Sequence, residues 1–407
     1  MLIKNAKVTG FDTLLDILIK DGKIAKIAQN IDEKDEELIE AKGSYALPGL
    51  IDLNVRLKNG VLNQKNLDTL SNDCARGGVT TALIISDFTP RLDNESFLEL
   101  LNAKVGSLGV NVLLSAPLVN DETEKLNNIA TLIQNGASAI WSKSHINSNL
   151  IRRGVQYANM KKTPLLVDCY DSDLDDNGVM NEGKVSFKLG LPGISKVSET
   201  SEVARLCEIA GYYKADIVFQ TLSSERSINL VKEAKKNLKA YSEVSIHHLL
   251  KNDSSCDEFN THAKIKPPLR DENEREAIVQ ELKNGDIDIL TSAHSPRSIL
   301  YKDTAFEDAA YGIHAISDYL QLGFTYLVSS GLVSLERFIQ MSSKMPAQIL
   351  GLERKGEIKE GFDADIVIFD PKSEETIKVA DSIYANEKLK GRVTTTIAKG
   401  KIVYQKA

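Results

Sequence analysis

The sequence predicts an α/β protein, a (β/α)8 TIM barrel carrying a small β-sandwich domain built from both termini. Two observations carry that prediction. Eight short apolar runs recur through the middle of the chain, with helix-length segments between them. The two ends instead show strands paired around tight turns, a rhythm that the middle lacks.

In chain order, 15–27 reads as two strands joined at Asp21-Gly22, a two-residue hairpin signal. The apolar runs follow at 50–53, 82–85, 112–114, 139–141, 165–167, 217–219, 241–244 and 287–290. Continuous apolar strands mean a parallel sheet covered on both faces. Helical spacing at 98–101 and 204–210 supplies part of that cover. Near the end, 365–369 is a strand, and 393–404 is a second hairpin turning at Lys399-Gly400. A sheet shared by both termini satisfies these pieces economically. The expected domains are therefore 1–47 with 357–407, a composite β domain, and 48–356, the barrel. In such barrels chemistry sits at the C-terminal ends of the strands, so the residues just after each apolar run are the candidates.

The chain has 407 residues, enough for a large core, and 42% are hydrophobic. With 6% aromatic residues, that core is mainly Leu, Ile, Val and Ala. A formal charge of -7 argues against general affinity for nucleic acid. No apolar run is long enough to span a bilayer. The first residues run straight into a strand pattern, so no signal peptide is expected. Cys74, Cys169, Cys207 and Cys256 are scattered, which fits a reduced cytoplasmic setting and offers no thiolate metal site.

Several stretches carry more than fold. They are Asn177-Gly178-Val179-Met180-Asn181-Glu182-Gly183, Leu189-Gly190-Leu191-Pro192-Gly193-Ile194, Glu243-Val244-Ser245-Ile246-His247-His248-Leu249-Leu250 and Lys266-Pro267-Pro268-Leu269-Arg270. Gly361-Phe362-Asp363-Ala364-Asp365-Ile366-Val367 is a fifth. With Leu47-Pro48-Gly49-Leu50-Ile51-Asp52-Leu53 they resemble bacterial dihydroorotases of the larger, aspartate-transcarbamoylase-associated type, in the cyclic amidohydrolase superfamily. The resemblance covers nearly the whole chain. It implies a binuclear zinc site, two ions roughly 3.5–4 Å apart held by several His and carboxylate groups.

This chain departs from that site at most of its positions, with Lys143, which a carboxylated form would make a bridging ligand, as the lesser alternative. The His-x-His expected after the first strand is Asn54-x-Arg56, and an arginine has no lone pair to give a cation. The bridging position falls at Ser142 and Lys143, and later ligand positions hold Asp168 and Thr221. The position of the catalytic aspartate is Ala293, which takes up no proton. The family's substrate contacts are replaced as well, at Lys58, Asp87, Lys266 and Arg297. Glu182 and Asp171 read as loop-fixing groups, and the acidic stretch 173–177 as either a lid or a solvated loop.

Six histidines exist, His145, His247, His248, His262, His294 and His314. His247, His248, His262 and His294 are the only set around the last strands that offers a metal site outside the family pattern, and packing roles for His247 and His248 are the simpler reading. No metal and no other cofactor is therefore expected. Arg56 and Lys143 are expected to take over the electrostatic role of the ions, with Asp168 as partner. Arg56, Lys58, Asp87, Lys266 and Arg297 form a candidate anion pocket, unless the cations pair with the carboxylates instead.

Two function classes follow. The resemblance implies first a non-catalytic dihydroorotase-like protein of pyrimidine biosynthesis, an oligomer-forming structural or regulatory partner of aspartate transcarbamoylase. The alternative is an active dihydroorotase or other cyclic amidohydrolase, closing carbamoyl aspartate to dihydroorotate at a rearranged zinc site.

Overall fold

The structure, a computed structural model, describes residues 1–406 apart from 12, 34, 35, 121–123 and 378–381. Eight parallel strands pair in the order in which they occur: Leu50–Val55, Val79–Ile84, Asn111–Pro117, Ala139–Lys143, Leu165–Asp168, Ile217–Gln220, Ala240–Ser245 and Ile289–Thr291. Each of the eight apolar runs overlaps one of them. Every residue of Leu50–Val55 and of Val79–Ile84 is buried, as strands covered on both faces require. Inside, Ile51, Leu53, Leu83, Trp141, Leu166, Val218 and Ile289 form one apolar cluster. A larger one, including Leu50, Ala82, Leu114, Ile140 and Val167, lies beneath the helices.

The last strand returns to the first. The Arg56 amide donates to the His294 carbonyl at 2.7 Å, and the Ser292 amide donates to the Asp52 carboxylate at 2.9 Å. Parallel register sets Lys143 beside Asp168 and Asp168 beside Gln220, so the strand ends form a row at the barrel mouth.

The helix Gln64–Arg76 shows how sequence dictates cover. Asn63 caps it by accepting from the Asn66 amide, and Leu67, Leu70, Cys74 and Ala75 give it a buried face. It ends at Gly77, where an added Cβ would stand 1.8 Å from the Ile316 carbonyl oxygen. Only glycine lets the Ile316 backbone approach that closely.

The termini share one continuous eight-stranded sheet. Tyr45–Pro48 and Lys388–Ala398 flank Ile366–Thr376 on its two sides, both antiparallel to it. Both hairpins turn where the sequence places them, with positive φ at Asp21 and Gly22 and at Lys399 and Gly400, the geometry of a tight hairpin turn. Ile3, Val8, Ile17, Ile24, Ile366, Ile368 and Ile397 make this sheet's own core. One residue, Gly49, separates sheet from barrel, and a Cβ there would lie 2.0 Å from Thr80 Oγ1. Among the described residues no helix is long and apolar enough to cross a membrane.

Candidate functional site

The first strand delivers Asn54 and Arg56 to the barrel mouth, and the structure joins them to the positions singled out above. The Arg56 guanidinium donates from Nε to Asp87 at 2.7 Å and from Nη2 to Asp168 at 2.6 Å. Its Nη1 donates to Asn54 Oδ1. Asn54 Nδ2 then donates to Thr221 Oγ1 and to Glu243 Oε1, both at 2.7 Å. Glu243 also accepts from Thr291 Oγ1 at 3.0 Å and from Gln220 Nε2 at 3.3 Å. A single network therefore runs from the rim into the barrel, and Arg56 heads it.

Its electrostatics follow from burial. Desolvation opposes the Arg56 charge, yet Asp168 and Asp87 together hold its pKa above the ordinary arginine value. Burial pushes Asp168 upward, and Arg56 holds it back. Burial also raises Glu243 to about 7 and Asp52 to about 6. Asp52, Gln220 and Glu243 were not among the candidate residues. For Asp52 and Glu243 the signal was present, since a charged residue inside an apolar strand run is rarely buried without partners.

Two positions keep an unusual backbone while their side chains carry no metal-binding group of the family type. Thr221 has φ 50° and Ala293 φ 45°. A β-branched residue in the left-handed region is a strained outlier, and such strain concentrates at functional sites.

The mouth opens into a cavity lined among others by Arg56, Asp87, Lys143, Asp168, Lys266 and Arg297. Lys266 forms an ion pair with buried Asp175 at 2.8 Å and lies 4.1 Å over the Tyr170 ring. That pins the acidic stretch, whose helical turn Ser172–Asp175 is capped by the Asp171 carboxylate. Arg297 donates to the Tyr311 carbonyl at 2.8 Å. Lys143 lines the mouth, and no ion pair joins it to Asp168 among the described residues. A second, lateral cavity lies against the helix Gln64–Arg76. The expected anion pocket is thereby divided. Arg56 and Arg297 line both cavities, Asp87 and Lys266 the first, and Lys58 the second.

The histidines sort equally clearly. His247 bonds Tyr384 Oη through Nδ1 and the Ser292 carbonyl through Nε2, each at 2.9 Å. His248 bonds Ser245 Oγ at 2.8 Å and the Pro267 carbonyl at 3.2 Å. Burial lowers them to about 3 and about 4 respectively, so both pack as neutral rings. The four-histidine set is therefore not assembled. His262 and His294 instead line the lateral cavity, beside His314 and Asp73. His145 pairs with Asp171 at the surface.

The whole of this architecture has known counterparts. A family model described as "Amidohydrolase family" matches residues 45–403. The chain belongs to the amidohydrolase family. It is 36% identical to a dihydroorotase of Ruminiclostridium cellulolyticum, over 94% of this chain and 91% of that one. It is 33% identical to a dihydroorotase of Acetivibrio thermocellus, over 99% and 98%. Among solved structures, an L-hydantoinase (dihydropyrimidinase) from Arthrobacter aurescens superposes with a TM-score of 0.88 at 20% identity, covering 100% of this chain and 96% of that one. A D-hydantoinase gives 0.86 at 22%, over 99% and 95%. The barrel with a sheet from both termini is the architecture these share.

For this amidohydrolase chain, the donor chemistry at the mouth does not fit a pair of divalent cations. Asn54, Arg56, Lys143, Asp168, Thr221 and Ala293 supply one carboxylate, already bonded to a guanidinium. Two of the six are cationic side chains, and Ala293 has no donor atom at all. The arrangement sets one guanidinium between two carboxylates, Asp87 and Asp168.

Proposed function

We propose that this chain is a dihydroorotase-like protein of pyrimidine biosynthesis that has given up metal-dependent hydrolysis. One observation carries the reading, the Arg56 guanidinium bonded to Asp168, Asp87 and Asn54. Metal-assisted amide hydrolysis needs an activated water and a proton acceptor. The mouth offers a fixed cation for the first and Ala293 for the second. The chain keeps the whole barrel without that chemistry, which supports work done through its surface. We infer that it acts as a structural or regulatory partner of aspartate transcarbamoylase. A dihydroorotase assay in both directions, on metal-analysed protein with added zinc, tests the first part. The expected result is no turnover above buffer. Turnover with two ions per chain would overturn it. Co-purification with aspartate transcarbamoylase from a common host tests the second, and two separate elution peaks would count against it.

The second reading, an active cyclic amidohydrolase with a rearranged metal site, draws on the Asp73, His294 and His314 group. It requires turnover that disappears in His314→Ala.

A further inference from the structure

We propose that the lateral cavity binds one transition-metal ion through Asp73, His294 and His314, with an anion as its fourth ligand. The site lies outside the barrel mouth and does not depend on the reading above. Its three residues come from distant parts of the chain: the helix Gln64–Arg76, the segment after the last strand, and the return loop twenty residues on. One ligand atom from each lies within 4.8 Å of the other two. His314 Nε2 stands 3.1 Å from Asp73 Oδ2. Neighbouring ligands around a tetrahedral ion with bonds of about 2.0–2.1 Å are roughly 3.3–3.4 Å apart, so this pair needs little adjustment.

Two imidazoles and one carboxylate suit zinc, cobalt or nickel better than magnesium or calcium. His294 is only 2% exposed, so its ring is fixed by packing. Its Nδ1 accepts from the amides of Ala315 and Ile316, each at 3.3 Å. Those contacts are long, so an ion at Nδ1 displaces them, whereas an ion at Nε2 requires the ring proton to move to Nδ1.

Three protein ligands leave a coordination position open. Lys58, Arg297 and Lys302 line the same cavity. Arg56 is already matched by Asp87 and Asp168. Lys302 is held by the carbonyls of Thr261 and Lys264, and burial lowers its pKa to about 7. The positive charge of Lys58 and Arg297 repels a bare ion and favours one that carries a negative ligand. Metal and anion should thus tighten each other's binding, reciprocally.

The test is titration of chelator-stripped, full-length protein with Co²⁺, read by calorimetry and by visible absorption, with and without inorganic phosphate. The expected result is one ion per chain with tetrahedral d–d bands, tightened several-fold by phosphate. His314→Ala and Asp73→Asn, checked for folding by circular dichroism, should each weaken binding at least tenfold. Lys143→Ala, at the mouth, should not. Absence of uptake, or uptake unchanged in both cavity variants, overturns the metal site. Equal affinity with and without phosphate overturns the anionic fourth ligand. Two ions per chain with catalytic turnover, insensitive to His314→Ala, would overturn both this site and the proposed loss of hydrolysis. Turnover alone would leave this site standing.

Discussion

Replacing Arg56 by Met separates charge from shape. The thioether fills much of the volume and removes three donated bonds, to Asp168, Asp87 and Asn54. Asp168 and Asp87 would then face each other's charge without a cation between them. Removing one partner of a buried pair typically costs 3–5 kcal/mol. The three side chains are 16%, 22% and 27% exposed, so solvent screens part of that loss. The expected destabilisation is about 3 kcal/mol. Asp168→Asn leaves Arg56 paired with Asp87 and should cost about 1–2 kcal/mol. The double variant strands no charge from that pair, so it should be more stable than the sum predicts by at least about 1 kcal/mol. Urea unfolding followed by fluorescence reads this directly, because Trp141 is the single tryptophan and sits inside the barrel. A loss under about 0.5 kcal/mol in Arg56→Met, or strict additivity in the double variant, would refute the idea that this knot stands in for ions.

Three other outcomes follow from the same structure. Glu243 has a pKa raised by burial to about 7, so its contribution is fully present below the ordinary glutamate range and is lost as pH rises toward 7. The stability difference between wild type and Glu243→Gln should therefore shift against wild type by roughly 3 kcal/mol between about pH 4.5 and 7, and a flat difference in urea midpoints would exclude it. Gly77→Ala places a methyl group against the Ile316 carbonyl and should cost about 3 kcal/mol, visible as lower thermal stability and soluble yield. His247→Phe strands the Tyr384 hydroxyl and the Ser292 carbonyl, for a loss of about 2–4 kcal/mol, yet it should leave Co²⁺ stoichiometry untouched.

The fold was legible because its signals are local. Each of the eight apolar runs marks a strand, and the turns at Asp21-Gly22 and Lys399-Gly400 need only two residues to declare themselves. The pairing of Arg56 with Asp168 was also foreseeable, from charge at matched strand ends. What the sequence hides is direction. Lys58 is only two residues past Arg56, but it opens onto the lateral cavity, while Lys266 spends its charge on Asp175. Asp73 and His314 gave no signal at all, because 241 residues separate them and neither stands in a motif. The partners of Glu243 were equally out of reach. They come from three other strands whose contact depends on barrel closure.

The shared terminal sheet bears on how this protein is made. Strand Tyr45–Pro48 finds its neighbour Ile366–Thr376 only after 318 residues have followed it, from 48 to 366. Until the last strands leave the ribosome, the N-terminal strands present an open hydrogen-bonding edge and an isoleucine-rich face. Barrel units can close in order as they emerge, whereas the sheet waits for the end of translation. A chain stopped short at its C-terminus therefore loses the cover of its beginning as well, and premature termination is the circumstance in which this otherwise well-buried molecule is most exposed to aggregation.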